Sequence, residues 1–80
     1  MNKEDLKTEV ITKIKSICDN QDLDISDDTV FDDIEEWDSL NTVDLEMELE
    51  SSLDISFETG EFQEYKTIKE LVDSLDIKTK

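Results

Sequence analysis

Eighty residues carrying 24 acids against 8 lysines, with no histidine, arginine or proline, give a formal net charge of −16. A field of that sign repels nucleic acid and anionic membrane and attracts basic protein surfaces. The length allows one modest core, so residues 1–80 are expected to form a single domain of marginal stability.

The N-terminus lacks a secretory apolar core and no apolar run approaches a membrane span, so the chain reads as cytoplasmic and soluble. From Asn2 to Cys18, apolar residues recur at Leu6, Val10, Ile11, Ile14, Ile17 and Cys18, the spacing of one helix face. Asn2 is the expected cap, with Glu4 and Asp5 at the positive helix end. Cys18 is the sole cysteine, which excludes a disulfide framework and a cysteine zinc site; its spacing makes it a core residue.

Asp19 to Asp38 reads as a long loop, because Asp, Asn and Ser side chains compete for local backbone hydrogen bonds. Leu23, Ile25, Val30, Phe31 and Ile34 should pin it to the core. Asp22, Asp24, Ser26, Asp28 and Asp33 fall at some calcium-loop ligand positions. Asp27 stands where that loop needs glycine and Asp33 where it needs glutamate, so a solvated acidic loop is the better reading and no metal site is assigned.

A second helix is expected from Ser39 to Ser52, capped by Asp38. Leu40, Val43 and Met47 form one stripe, and Leu45, Leu49 and Leu53 are read as an adjoining one, together a wide face touching several neighbours. Asn41, Asp44 and Glu48 continue outward from Asp38, flanked by Glu46 and Glu50. Ser56 to Tyr65 reads as a short helix or ordered loop with Phe57, Phe62 and Tyr65 inward and Gly60 as its weak point. Thr67 to Glu70 fits a capping box. It opens a last helix that buries Ile68, Leu71, Val72 and Leu75, with Lys78 and Lys80 at its negative end. The sum is all-α: three main helices and a short one in a small bundle.

Charge is segregated along the chain. All lysines lie in Lys3–Lys15 or Lys66–Lys80, and 18 acids fall between Ser16 and Tyr65 with no basic residue among them. That stretch is too rich in apolar residues for a disordered tail. Catalysis finds no support, because a lone Cys and scattered Ser have no histidine to activate them. Ser39 stands apart. With Asp38 as the cap, it sits in the first helical turn beside unpaired backbone N–H groups that favour a phosphate. The alternative is that Ser39 is itself the N-cap.

Asp38-Ser39-Leu40, followed by Asn41-Thr42-Val43-Asp44-Leu45, resembles the attachment motif of acyl carrier proteins and related peptidyl carriers. The resemblance extends over the order of helices, the long acidic loop and the mid-chain position of the motif. It implies a small four-helix bundle of the acyl-carrier type with a short third helix and a long first loop. It also implies a non-enzymatic carrier. Ser39 would accept 4′-phosphopantetheine from coenzyme A on a magnesium-dependent phosphopantetheinyl transferase, and Asp38 would help that enzyme hold its metal. Acyl or aminoacyl groups would then ride on the arm as thioesters. Asp44, Met47, Glu48 and Glu50 would form the docking surface for loading and downstream enzymes with basic surfaces. Acid on one helix face gives fast, weak, salt-sensitive association, as a shuttle requires.

Two departures matter. Fatty-acid carriers commonly place glycine shortly before the motif, where this chain has Glu35-Glu36-Trp37; Trp37 is read as a core anchor closing the loop, or as a partner contact. Phe62 and Tyr65 stand where such carriers have a small and an aliphatic residue beside the acyl cavity, so short, polar or aminoacyl cargo is expected. The competing reading is an acidic interaction module, an adaptor or nucleic-acid mimic docking on a basic protein. A monomer is expected from the charge and from the lack of an obvious leftover apolar face.

Overall fold

The computed structural model describes residues 2–34 and 37–79; Glu35, Glu36 and Lys80, on which two of the expectations above fall, lie outside them. Three helices carry the architecture: α1 (Lys3–Ile17), α2 (Ser39–Leu53) and α3 (Ile68–Lys78), with 3-10 turns at Phe31–Asp33 and Phe62–Glu64. The short third helix expected of the bundle is thus a single 3-10 turn, entered through Gly60, whose φ of 81° suits a residue without Cβ. No helix among the described residues is long and apolar enough to cross a membrane.

Each helix begins on the cap its sequence advertises. Asn2 Oδ1 accepts the Asp5 amide at 2.8 Å, Asp38 Oδ1 that of Asn41 at 2.9 Å, and Thr67 Oγ1 that of Glu70 at 3.2 Å. The last capping box closes one residue early, because Glu70 receives the Lys66 amide rather than that of Thr67. The chain's single glycine serves elsewhere, so α1 and α2 stop through aspartates in left-handed conformation, Asp19 at φ 52° and Asp54 at φ 55°. Around Asp19, Asn20 N–H reaches Lys15 O and Asp19 N–H reaches Ser16 O, a Schellman closure.

Leu6, Val10 and Ile14 of α1 meet Leu45 and Leu49 of α2 and Ile68, Leu71, Val72 and Leu75 of α3; Phe31, Ile34 and Phe62 complete the buried core. Helix α1 packs against both α2 and α3. The long loop is stitched to the start of α3 by a lone antiparallel bridge, Val30 to Thr67, with Phe31 N–H on Lys66 O and Ile68 N–H on Thr29 O. This stitch fixes Phe31 and Ile34 in the core and brings the loop back to the start of α2.

One expectation is corrected. Leu40, Val43 and Met47 do not extend the buried face of α2 but stand 73%, 47% and 61% exposed. At about 100° per residue they lie half a turn from Leu45 and Leu49, so the two stripes oppose rather than adjoin. The molecule therefore keeps an uncovered apolar stripe, and the argument for a monomer from its absence falls.

Candidate functional site

Ser39 is the first residue of α2 and is exposed. The cap is supplied by Asp38, whose extended backbone (φ −139°, ψ −176°) aims its carboxylate at the Asn41 amide, so Ser39 is not the N-cap. Thr42 N–H makes the first intrahelical bond, to Asp38 O. The Ser39 and Leu40 amides precede that ladder and point from the positive helix end. Ser39 thus offers a solvent-facing hydroxyl at a place where backbone geometry favours an anion.

Trp37 holds the approach to this turn. Its Nε1–H donates to Thr42 Oγ1 at 2.9 Å, its amide to Ile34 O at 2.9 Å, and its ring lies 5.5 Å from Phe31, tilted 35°. It is half-buried against the core, the anchor its position in the sequence suggested. The aromatic series continues inward: Phe31 to Phe62 at 6.3 Å, and Phe62 edge-on to Phe57 at 5.2 Å and to Tyr65 at 5.9 Å. Phe62 is 3% exposed and occupies the interior. What stays open is a cleft of about 260 Å³ touching Ser39, lined by the buried Phe31 and Phe62, the half-buried Trp37 and Tyr65, and the exposed Asp32 and Asp38.

Tyr65 is positioned by charge. Its hydroxyl donates to Glu61 Oε2 and also meets Ser74 Oγ. Glu61 also receives the Glu58 amide and the Lys78 ammonium, and these donors hold its carboxyl down at about 2, the Glu58 amide first. Burial, then the neighbouring Glu61, raises the Tyr65 hydroxyl above its usual range. Lys78 further donates to Ser56 O and lies 5.2 Å over the Phe57 ring, so it serves tertiary structure more than the negative end of α3. The short linkers and Lys78 close this network; sequence spacing alone does not reveal it.

Of the expected docking residues, Asp44, Met47 and Glu48 are exposed together on α2, and Asp44, Met47 and Glu48 line a shallow groove with Ser16 and Ile17 of α1. Glu50 differs. It is half-buried and its Oε2 accepts the Phe57 amide at 2.9 Å, bracing the turn after α2. Asn41, expected to face outward, is half-buried. Leu40 and Val43 were missed as surface residues, and a helical wheel centred on Leu45 and Leu49 identifies them. Burial first, and then the neighbouring Glu50 and Glu61, raise the Glu46 carboxyl above its usual range. Among the described residues, no ion pair involves α2.

The family described as a phosphopantetheine attachment site matches residues 8–75, a span that contains all of α2 with Ser39 and most of α1 and α3. No curated protein and no solved structure matches significantly.

Proposed function

The chain belongs to the phosphopantetheine attachment-site family, the domain to which 4′-phosphopantetheine is joined covalently, and on that premise we propose that Ser39 is the residue that carries the arm. The observation that bears this reading is an exposed serine hydroxyl, outside the helix cap, at the positive end of α2. In the transfer, Ser39 Oγ attacks the phosphorus of coenzyme A that bears the pantetheine. A new P–O bond forms, the pyrophosphate linkage breaks, adenosine 3′,5′-bisphosphate leaves, and the serine proton passes to a base of the transferase. The Ser39 and Leu40 amides then face the new phosphodiester, offsetting the repulsion of the surrounding acids. Asp38 lies beside the reacting hydroxyl, where it can help the transferase hold magnesium.

A phosphopantetheine-bearing carrier works with a transferase and with biosynthetic enzymes. Docking is assigned to Asp44, Met47 and Glu48, extended by Leu40 and Val43, with Glu50 adding charge while tied to Phe57. An apolar stripe edged by acids fits a partner with an apolar contact ringed by lysine or arginine. The carrier reads as a cytoplasmic one of specialised biosynthesis rather than of long-chain fatty-acid synthesis. Phe62, buried and packed edge-on to Tyr65, supports this reading by filling core space an extended acyl chain would need.

Intact mass after incubation with coenzyme A, magnesium and a broad-specificity transferase tests the assignment. Wild type gains one phosphopantetheine, while Ser39→Ala gains none and keeps its fold within about 0.5 kcal/mol, as exposed substitutions do. Gain that persists in Ser39→Ala, or no gain while a control carrier is loaded, would remove the assignment and favour the acidic interaction module. A companion measurement concerns cargo. A long-chain thioester should leave the melting temperature level with that of the unacylated holo form, and a clear rise would refute the filled core.

A further inference from the structure

Resting on Ser39 as the attachment point, we propose that the aromatic cleft beside it seats the arm's cargo and selects a cationic, aminoacyl group over neutral or anionic acyl groups. The cleft touches Ser39 itself, so an arm anchored there need only double back to reach it. Its volume of about 260 Å³ is below the usual range for drug-sized ligands and suits a small acyl unit.

The lining defines the charge of the occupant. Phe31, Phe62, Trp37 and Tyr65 all line the cleft, and aromatic rings attract an ammonium brought against them. Asp32 and Asp38 line the same cleft, and neither is engaged by a lysine among the described ion pairs. The whole stretch from Ser16 to Tyr65, which supplies every wall, holds no basic residue. An α-ammonium is therefore drawn by both rings and carboxylates. A neutral acyl group of equal shape gains only the apolar contact, and a carboxylate-bearing cargo is repelled.

Three amide-linked, hydrolysis-resistant cargoes on the intact holo protein separate these cases: alanyl, isobutyryl, in which a methyl replaces the ammonium, and malonyl. Loading is confirmed by intact mass, and cleft occupancy is read from the indole N–H resonance of Trp37, the chain's single tryptophan. The alanyl form should shift this resonance and the Tyr65 amide away from the unacylated holo form, with about two- to fivefold greater occupancy than isobutyryl, the range for exposed charge and cation–ring contacts. Malonyl should leave both resonances in place. Asp32→Asn, or about 1 M salt, where screening reaches ~3 Å, should narrow the alanyl advantage. Equal shifts for alanyl and isobutyryl would overturn cation selection, and no shift with any cargo would overturn the seat itself. Failure to load would appear in the mass alone, and would overturn the Ser39 assignment and this proposal with it.

Discussion

Glu61 concentrates three kinds of donor on one carboxylate: the Glu58 amide, the Tyr65 hydroxyl and the Lys78 ammonium. Its carboxyl is lowered from 4.5 to about 2, so the folded state favours the ionised form. The sign follows from linkage: this stabilisation is complete above about pH 4.5 and is lost as pH falls through about 2. Glu61→Gln should cost about 1 kcal/mol at pH 7, the scale of a charge-assisted hydrogen bond. Urea titrations of both proteins should show that gap shrinking below pH 4.5, and a gap constant down to pH 3 would mean that charge is not its source. Residues of this kind were hard to read in the sequence, since Glu61, Tyr65 and Lys78 meet only after the chain folds. Asp38 as a cap and Trp37 as an anchor were legible because these roles are set within a few neighbouring residues. Trp37's partner Thr42 was not, since the bond spans the junction of loop and helix.

The helix starts were readable because capping is local chemistry, and Asn2, Asp38 and Thr67 each perform as their side chains allow. The stops were less so, for neither α1 nor α2 ends on glycine. A non-glycine residue in the left-handed region is strained, and an acid at a helix C-terminus meets like charge. Asp54→Gly should therefore stabilise the fold by about 0.5–1 kcal/mol, raising the melting temperature by several degrees for a domain of this size. A fall in melting temperature would show that Asp54 makes a compensating contact. Helix α2 shows how composition misleads at this scale. Its apolar residues are numerous enough to suggest a broad buried face, yet angular position divides them between Leu45 and Leu49 inside and Leu40, Val43 and Met47 outside. The segment from Ser56 to Tyr65, read as a short helix or ordered loop, is a loop ending in one 3-10 turn, and Phe57, Phe62 and Tyr65 pack on one another around it.

The described residues extend 31 × 26 × 20 Å. At about 0.01 M salt the screening length is roughly 30 Å, so each acid senses nearly every other, whereas at 0.15 M it is about 8 Å and only neighbours interact. With a net charge of −16, the melting temperature should climb by several degrees between these conditions; an unchanged value would show that self-repulsion contributes little. The architecture of the bundle was legible as a whole because helix periodicity and capping agree along most of the chain. The cleft at Ser39 was not, because its walls come from three separated segments. Three of the lysines, in turn, are gathered where α1 meets α3 and the loop: Lys3 and Lys69 share Asp73, and Lys7 reaches Asp27. Among the described residues, helix α2 keeps its acids without such partners. Centre of charge and centre of mass are thereby displaced from one another, and the molecule carries an electric moment as well as a charge. A basic partner exerts a torque on such a body before it touches it. Steering of this kind favours encounters on the α2 side, so fewer are wasted on the wrong face.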